Sequence, residues 1–179
     1  MQLKNVSNVA LTRIAIKITC FIFILWAANI TYGIVHESAH AMVVDALGGH
    51  VYDIYVNTMG TDAFTVHSEI PGIDGGVLVE VAGMAVTTLF AFISLFTGYA
   101  PLTWFLALRT SIYAINYEAG TDIDNIHQLI GSGSWLISVL LVALNLTCVL
   151  VSLKIAFRKT AGVPASSSSS AHVSLLNNN

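Results

Sequence analysis

From Ile14 to Leu47 the chain runs for 34 predominantly apolar residues. As a helix that run would reach roughly 50 Å, against a hydrocarbon core of about 30 Å, so it must either emerge from a bilayer or break within it. Gly33 is the weakest point inside the run, and Gly48-Gly49 supplies a helix stop at its end. Three further apolar segments follow, at approximately Val77 to Thr97, Leu102 to Tyr117 and Ser134 to Phe157. Each is near the length of about 20 residues that a tilted or slightly short transmembrane helix requires. Only 9% of the residues are charged, where a soluble domain carries about 25%. The expected fold is therefore an all-α polytopic membrane protein of about four transmembrane helices, with the lipid bilayer as its first partner.

Charge orders these segments. Lys4, Arg13 and Lys17 precede or open the first run, Lys154, Arg158 and Lys159 close the last, and Arg109 is the one other basic residue. The positive-inside rule places both termini in the cytoplasm, most simply of a cell membrane, and an even number of spans agrees. The segment from Gly48 to Gly76 has no Lys or Arg but carries Asp53, Asp62, Glu69 and Asp74, and is expected outside. A cleaved signal peptide is the rival reading of the first run, but Leu25 and Trp26 stand where small residues are wanted, which favours a retained anchor. Cys20 and Cys148 are isolated within apolar segments and read as small packing residues. No nucleic-acid partner is expected, and the oligomeric state is open.

Between the first two runs, 50–57 and 61–68 are rich in β-formers, with Thr58-Met59-Gly60 as a turn. They predict a small β-hairpin at the outer membrane face, which either covers the helix ends or offers its backbone edge to an extended peptide. Pro71-Gly72 and Gly75-Gly76 mark a loop before the second span, and Gly83 allows close approach of another helix. Residues 1–160 thus form one membrane-embedded domain with a hairpin insertion near 50–68. The serine-rich 161–179 stretch reads as a disordered polar tail.

Chemistry concentrates at His36-Glu37-Ser38-Ala39-His40. Two histidines four apart on a helix share one face, so their imidazoles can converge on one metal ion while the adjacent Glu37 serves as a base. Zn2+ suits such a set, because it brings the pKa of bound water to roughly 7. A hydrolytic zinc site takes a third protein ligand, and candidates cluster from Glu118 to His127. If the spans alternate, the third ends at the same leaflet as His36 and His40. His50, His67 and His127 lack a partner at metal spacing and read as surface or hydrogen-bonded residues, and Glu80 and Glu118 as interfacial carboxylates. Arg109 falls near the middle of the third span, where a charge is costly unless it is paired or snorkels.

From about Gly33 to Gly131 these features resemble the site-2 protease family of intramembrane zinc metalloproteases, especially its small members. In that family the H-E-x-x-H helix is followed by a β-hairpin, a span with an Ala-Gly-Pro-x-x-Asn type motif, and a span with a metal-binding aspartate. Ala82-Gly83-Met84-Ala85-Val86-Thr87 is similar to the second motif, with Met84 in place of proline and Thr87 in place of asparagine. Gly120-Thr121-Asp122 is similar to the small members' Gly-Ser-Asp pattern, which implies Asp122 as third ligand. A register built on Asn116 and Ile123-Asp124-Asn125 implies Asp124 instead. The resemblance implies a zinc metalloprotease with metal ligands His36, His40 and Asp122, catalytic Glu37, and membrane-protein substrates. The alternatives are a non-catalytic metal-binding or transport protein, and an inactive homologue that binds substrate helices.

Overall fold

A computed structural model describes residues 3–161, so the tail expected at 161–179 lies, from residue 162 on, outside the described residues. The chain is mostly helical: α1 (Leu3–Ala46), β1 (Val51–Val56), β2 (Ala63–His67), α2 (Ile73–Ser94), α3 (Ala100–Ile115), α4 (Asp122–Ile130) and α5 (Ser134–Ala161). Among the described residues, three stretches are long and apolar enough to cross a membrane: Leu11–Ala46, Ile73–Thr97 and Asp122–Arg158. The third segment of the sequence reading forms the shorter α3, whose 16 residues reach about 24 Å. Asn116, extended at ψ 97, ends it.

The first run does not break at Gly33. α1 continues through it for 44 residues without interruption. Gly33 serves another purpose, because a Cβ there would lie 3.1 Å from Val56 Cγ1 and 3.6 Å from Ala63 Cβ. The missing side chain lets the hairpin lie against the helix. α1 stops where the two glycines predict: Gly48 adopts φ +79, Gly48 N–H donates to Asp45 C=O at 3.0 Å and Gly49 N–H to Val44 C=O at 2.9 Å. That pair of bonds satisfies carbonyls that a helix end would otherwise orphan. α2 begins earlier than its hydropathy suggests. Gly75 and Gly76 lie inside it, each in close contact, with Ile70 and Leu129 respectively.

β1 and β2 pair antiparallel, from Val51 opposite His67 to Val56 opposite Ala63, with a bulge after Val51. The hairpin does not cap the helix ends. It turns back along α1 until Trp26 Nε1 donates to Thr58 C=O at 2.8 Å and Asn29 Nδ2 donates to Met59 C=O. From Leu47 to Asn29 that is a descent of about 27 Å along the helix. Along β2, Ala63, Thr65 and His67 are partly covered while Phe64 and Val66 face out.

Behind α2, the side chains of Met84, Ala114, Ile123, Ile126 and Leu141 form one core, and Ala91, Ala107 and Cys148 a second. Cys20 is exposed on α1. Small and hydroxylated residues fill the helix contacts, as expected where lipid already solvates the apolar faces. Ser94 bonds Thr103 at 2.8 Å, Asn145 donates to Thr88 at 2.8 Å and Trp104 to Ser152 at 2.6 Å, tying α2, α3 and α5 together.

Candidate metal centre

His36 and His40 stand one turn apart on the buried face of α1, with ring centroids 4.8 Å apart. α4 brings the third group. Ile123 and Ile126 are fully buried and anchor that short helix, so its first residue, Asp122, points at the imidazoles. Asp122 Oδ2 lies 2.8 Å from His36 Nε2 and 3.5 Å from His40 Nε2. The ligand atoms of these three residues all fall within 4.8 Å of one another, and among the described residues no other group of three His, Cys, Asp or Glu does so.

Two features fit this trio to a metal ion. His40 Nδ1 is 2.7 Å from the Val79 carbonyl; donating there, it fixes the ring and leaves the Nε2 lone pair facing Asp122, the outer-shell arrangement common in metal-bound histidines. Gly83 supplies the second. A Cβ built on it would sit 2.5 Å from His36 Nε2 and 2.6 Å from His40 Nε2, in the space where both nitrogens converge. Two imidazole nitrogens and one carboxylate oxygen around a kept space make a donor set for a first-row divalent ion with an open position. The buried His36, His40 and Asp122 group can hold a metal ion.

The second aspartate faces elsewhere. Asp124 Oδ2 accepts from Gly120 N–H at 3.2 Å and from Gln128 Nε2 at 2.8 Å, closing the start of α4. His127 bonds Ser134 at 3.1 Å, His67 bonds the Ser68 carbonyl at 2.7 Å, His50 packs on the Tyr52 ring, and Glu118 is exposed. None of them joins the trio.

Glu37 is buried beside the histidines. Thr65 of β2 lies 2.9 Å from Glu37 Oε2 and 3.1 Å from the Glu37 carbonyl, so the hydroxyl has two acceptors on one residue. This contact is missed by the sequence reading, which has no means of telling which hairpin face meets α1. Glu80, expected as an interfacial carboxylate, is half-buried on α2 and accepts from Asn125 Nδ2 at 3.1 Å, bracing α4 next to Asp122. The rings of Tyr32 and Tyr113 pack on His36, with centroids 5.8 and 5.2 Å away. Below them the hydroxyls of Tyr32, Thr87 and Thr110 bond one another at 3.0 to 3.4 Å.

No family model, curated protein or solved structure compared with the chain matches it.

Proposed function

We propose that this protein is an intramembrane zinc metalloprotease that hydrolyses peptide bonds of other membrane proteins, as the resemblance to the site-2 proteases implies. In this reading α1, α2, α3 and α5 make four crossings, with both termini cytoplasmic. The observation that carries it is a carboxylate, Glu37, buried beside the two-histidine, one-aspartate trio, held by a hydroxyl and left out of the ligand set. A site that only stores or passes a cation has no need of such a fourth group.

His36, His40 and Asp122 would hold Zn2+, which supplies Lewis acidity that makes water a nucleophile near neutral pH and polarises a carbonyl. Glu37 accepts the proton of the attacking water at a carboxylate oxygen and returns it to the departing amine. Thr65 keeps that carboxylate in one orientation by donating to Oε2. Val79 holds His40 in the tautomer that presents Nε2, and Gly83 keeps the space between the imidazoles clear. His36 lies ten residues before the end of α1, about 15 Å in from it, so a substrate helix has to unwind locally to present a carbonyl.

The test is zinc analysis of purified wild type and Glu37→Gln, followed by incubation of each with single-span membrane proteins. Both should hold one zinc, and the variant should lose turnover on the order of 10³-fold. Stoichiometric zinc in a wild type that cuts nothing in the panel would move the protein to the metal-binding class.

A further inference from the structure

Arg109 is a cation in the middle of α3 with no carboxylate within ion-pair distance among the described residues, where the ion pairs all involve Asp122. Such a group is costly inside a bundle of apolar helices unless something occupies it. Its guanidinium stacks over the Tyr32 ring, 4.4 Å from the centroid, and 5.6 Å from that of Tyr113. Its Nη2 donates to the carbonyl of Gly60, at the tip of the hairpin turn. Gly60 itself is pressed on α1, since a Cβ there would come within 2.6 Å of the Asn29 carbonyl and the Ile30 nitrogen.

Three successive carbonyls of the turn are therefore taken by donors from the helices: Thr58 by Trp26, Met59 by Asn29 and Gly60 by Arg109. The turn carbonyls are thus satisfied by side chains of the helices. Trp26 and Asn29 fasten the turn to α1, while Arg109 reaches it from α3 and is the one charged donor of the three. Farther along, the hairpin packs Val56 and Ala63 on Gly33, and its polar inward contact at the site is Thr65 on Glu37. We infer that Arg109 is a positioning residue: it latches the hairpin tip between α1 and α3 and thereby holds Thr65 against the Glu37 carboxylate.

The latch stands on geometry alone, whereas its consequence for catalysis rests on the proposed hydrolytic role of Glu37, and the experiment separates the two. The full chain in lipid nanodiscs is compared as wild type, Arg109→Met, Arg109→Lys, Thr65→Val and the Arg109→Met/Thr65→Val double variant. Arg109→Met should speed amide exchange across 57–62, where Asn57, Gly60 and Thr61 N–H are bonded within the turn, by about tenfold or more. Arg109→Lys, which keeps a charged ammonium donor but not the planar guanidinium that stacks on Tyr32, should recover part of that protection. Unchanged zinc content and unchanged exchange in α2 and α5 show that the bundle is intact. In turnover, Arg109→Met should lower kcat about tenfold in the wild-type background and less than about twofold in the Thr65→Val background, since the two act in series.

Unaltered exchange at 57–62 in Arg109→Met overturns the latch. An equal loss of kcat in both backgrounds overturns the route through Thr65. A wild type that binds zinc and hydrolyses nothing removes the protease reading, and the exchange data then decide the latch by themselves.

Discussion

Gly83 gives the sharpest quantitative consequence of the site geometry. Replacing it by alanine adds one methyl in the middle of α2, where alanine is the better helix former by about 0.8–1 kcal/mol. Helix propensity alone therefore predicts a more stable protein. The same methyl would stand 2.5 Å from His36 Nε2 and 2.6 Å from His40 Nε2, so each ring must retreat by about 0.9–1 Å to reach ordinary contact. Ligand atoms in a metal site are held to about 0.2 Å, so the displacement is several times what the site tolerates. His40 cannot swing freely, because its Nδ1 is tied to Val79 on the same helix as the new methyl. The expected result is a loss of zinc affinity of about 10²-fold or more, or about 3 kcal/mol. The methyl meets both rings whether or not an ion is bound, so overpacking of about 1–3 kcal/mol outweighs the gain in propensity, and the metal-free variant should melt below the wild type in the presence of a chelator. Zinc content after dialysis against a weak chelator, together with melting of the stripped protein, checks both signs. An alanine variant that keeps one tightly held zinc would refute the claim that the ion sits between those nitrogens.

Two further outcomes follow from the same geometry. Asp122→Asn should lose about 10- to 100-fold in zinc affinity or more, while Asp124→Asn, whose carboxylate accepts from Gly120 and Gln128, should keep its zinc; titration of both variants reads this directly. A cysteine at the exposed turn residue Thr61, in a background without Cys20 and Cys148, should react with a membrane-impermeant maleimide at least about tenfold faster than one at Ile34, an exposed apolar position on α1. Equal protection at both positions would place the turn in hydrocarbon and remove the water that the hairpin side is expected to bring.

Much of this architecture was legible because the signals were periodic or compositional. Four apolar runs became helices, the β-formers at 50–57 and 61–68 became a hairpin, and Gly48-Gly49 ended α1. The spacing of His36 and His40 is a property of a single helix, so their convergence required no tertiary knowledge. Asp122 was different. Its selection over Asp124 depends on a two-residue phase at the start of α4, where Ile123 and Ile126 face the core and turn Asp122 toward α1. Gly33 misled for a physical reason: glycine weakens a helix, yet it also admits a neighbour, and Val56 with Ala63 occupies the space it leaves. The hairpin's position was hidden because its alternation is inverted. Phe64 and Val66 face outward, while the polar Thr65 faces the site; beside a membrane that pattern is sensible, but on a hydropathy scale it looks like an ordinary amphipathic strand. Thr65 and Arg109 were illegible for that reason, since both depend on where the hairpin lies.

The hairpin also bears on how the proposed hydrolytic site, inside apolar surroundings, would obtain its reactants. A two-stranded sheet leaves one outer row of N–H and C=O groups on each strand. Some of these are met locally, as when Asp53 Oδ1 accepts from Ile54 N–H at 2.9 Å. In hydrocarbon each group left unmet costs several kcal/mol, and the turn adds exposed Thr61 and Asp62 at its tip. A hairpin of this kind beside α1 is therefore stable only if its edges meet water or another extended strand. Those are the two things that the proposed hydrolysis at Glu37 would require: water to supply the nucleophile, and a substrate segment whose carbonyls have left their helical hydrogen bonds. A purely helical wall around His36, His40 and Asp122 would satisfy its own backbone completely and call for neither. Under the proposed protease reading, the open edge gives an unwound peptide an energetic reason to settle beside His36, His40 and Asp122, through main-chain groups that every sequence shares.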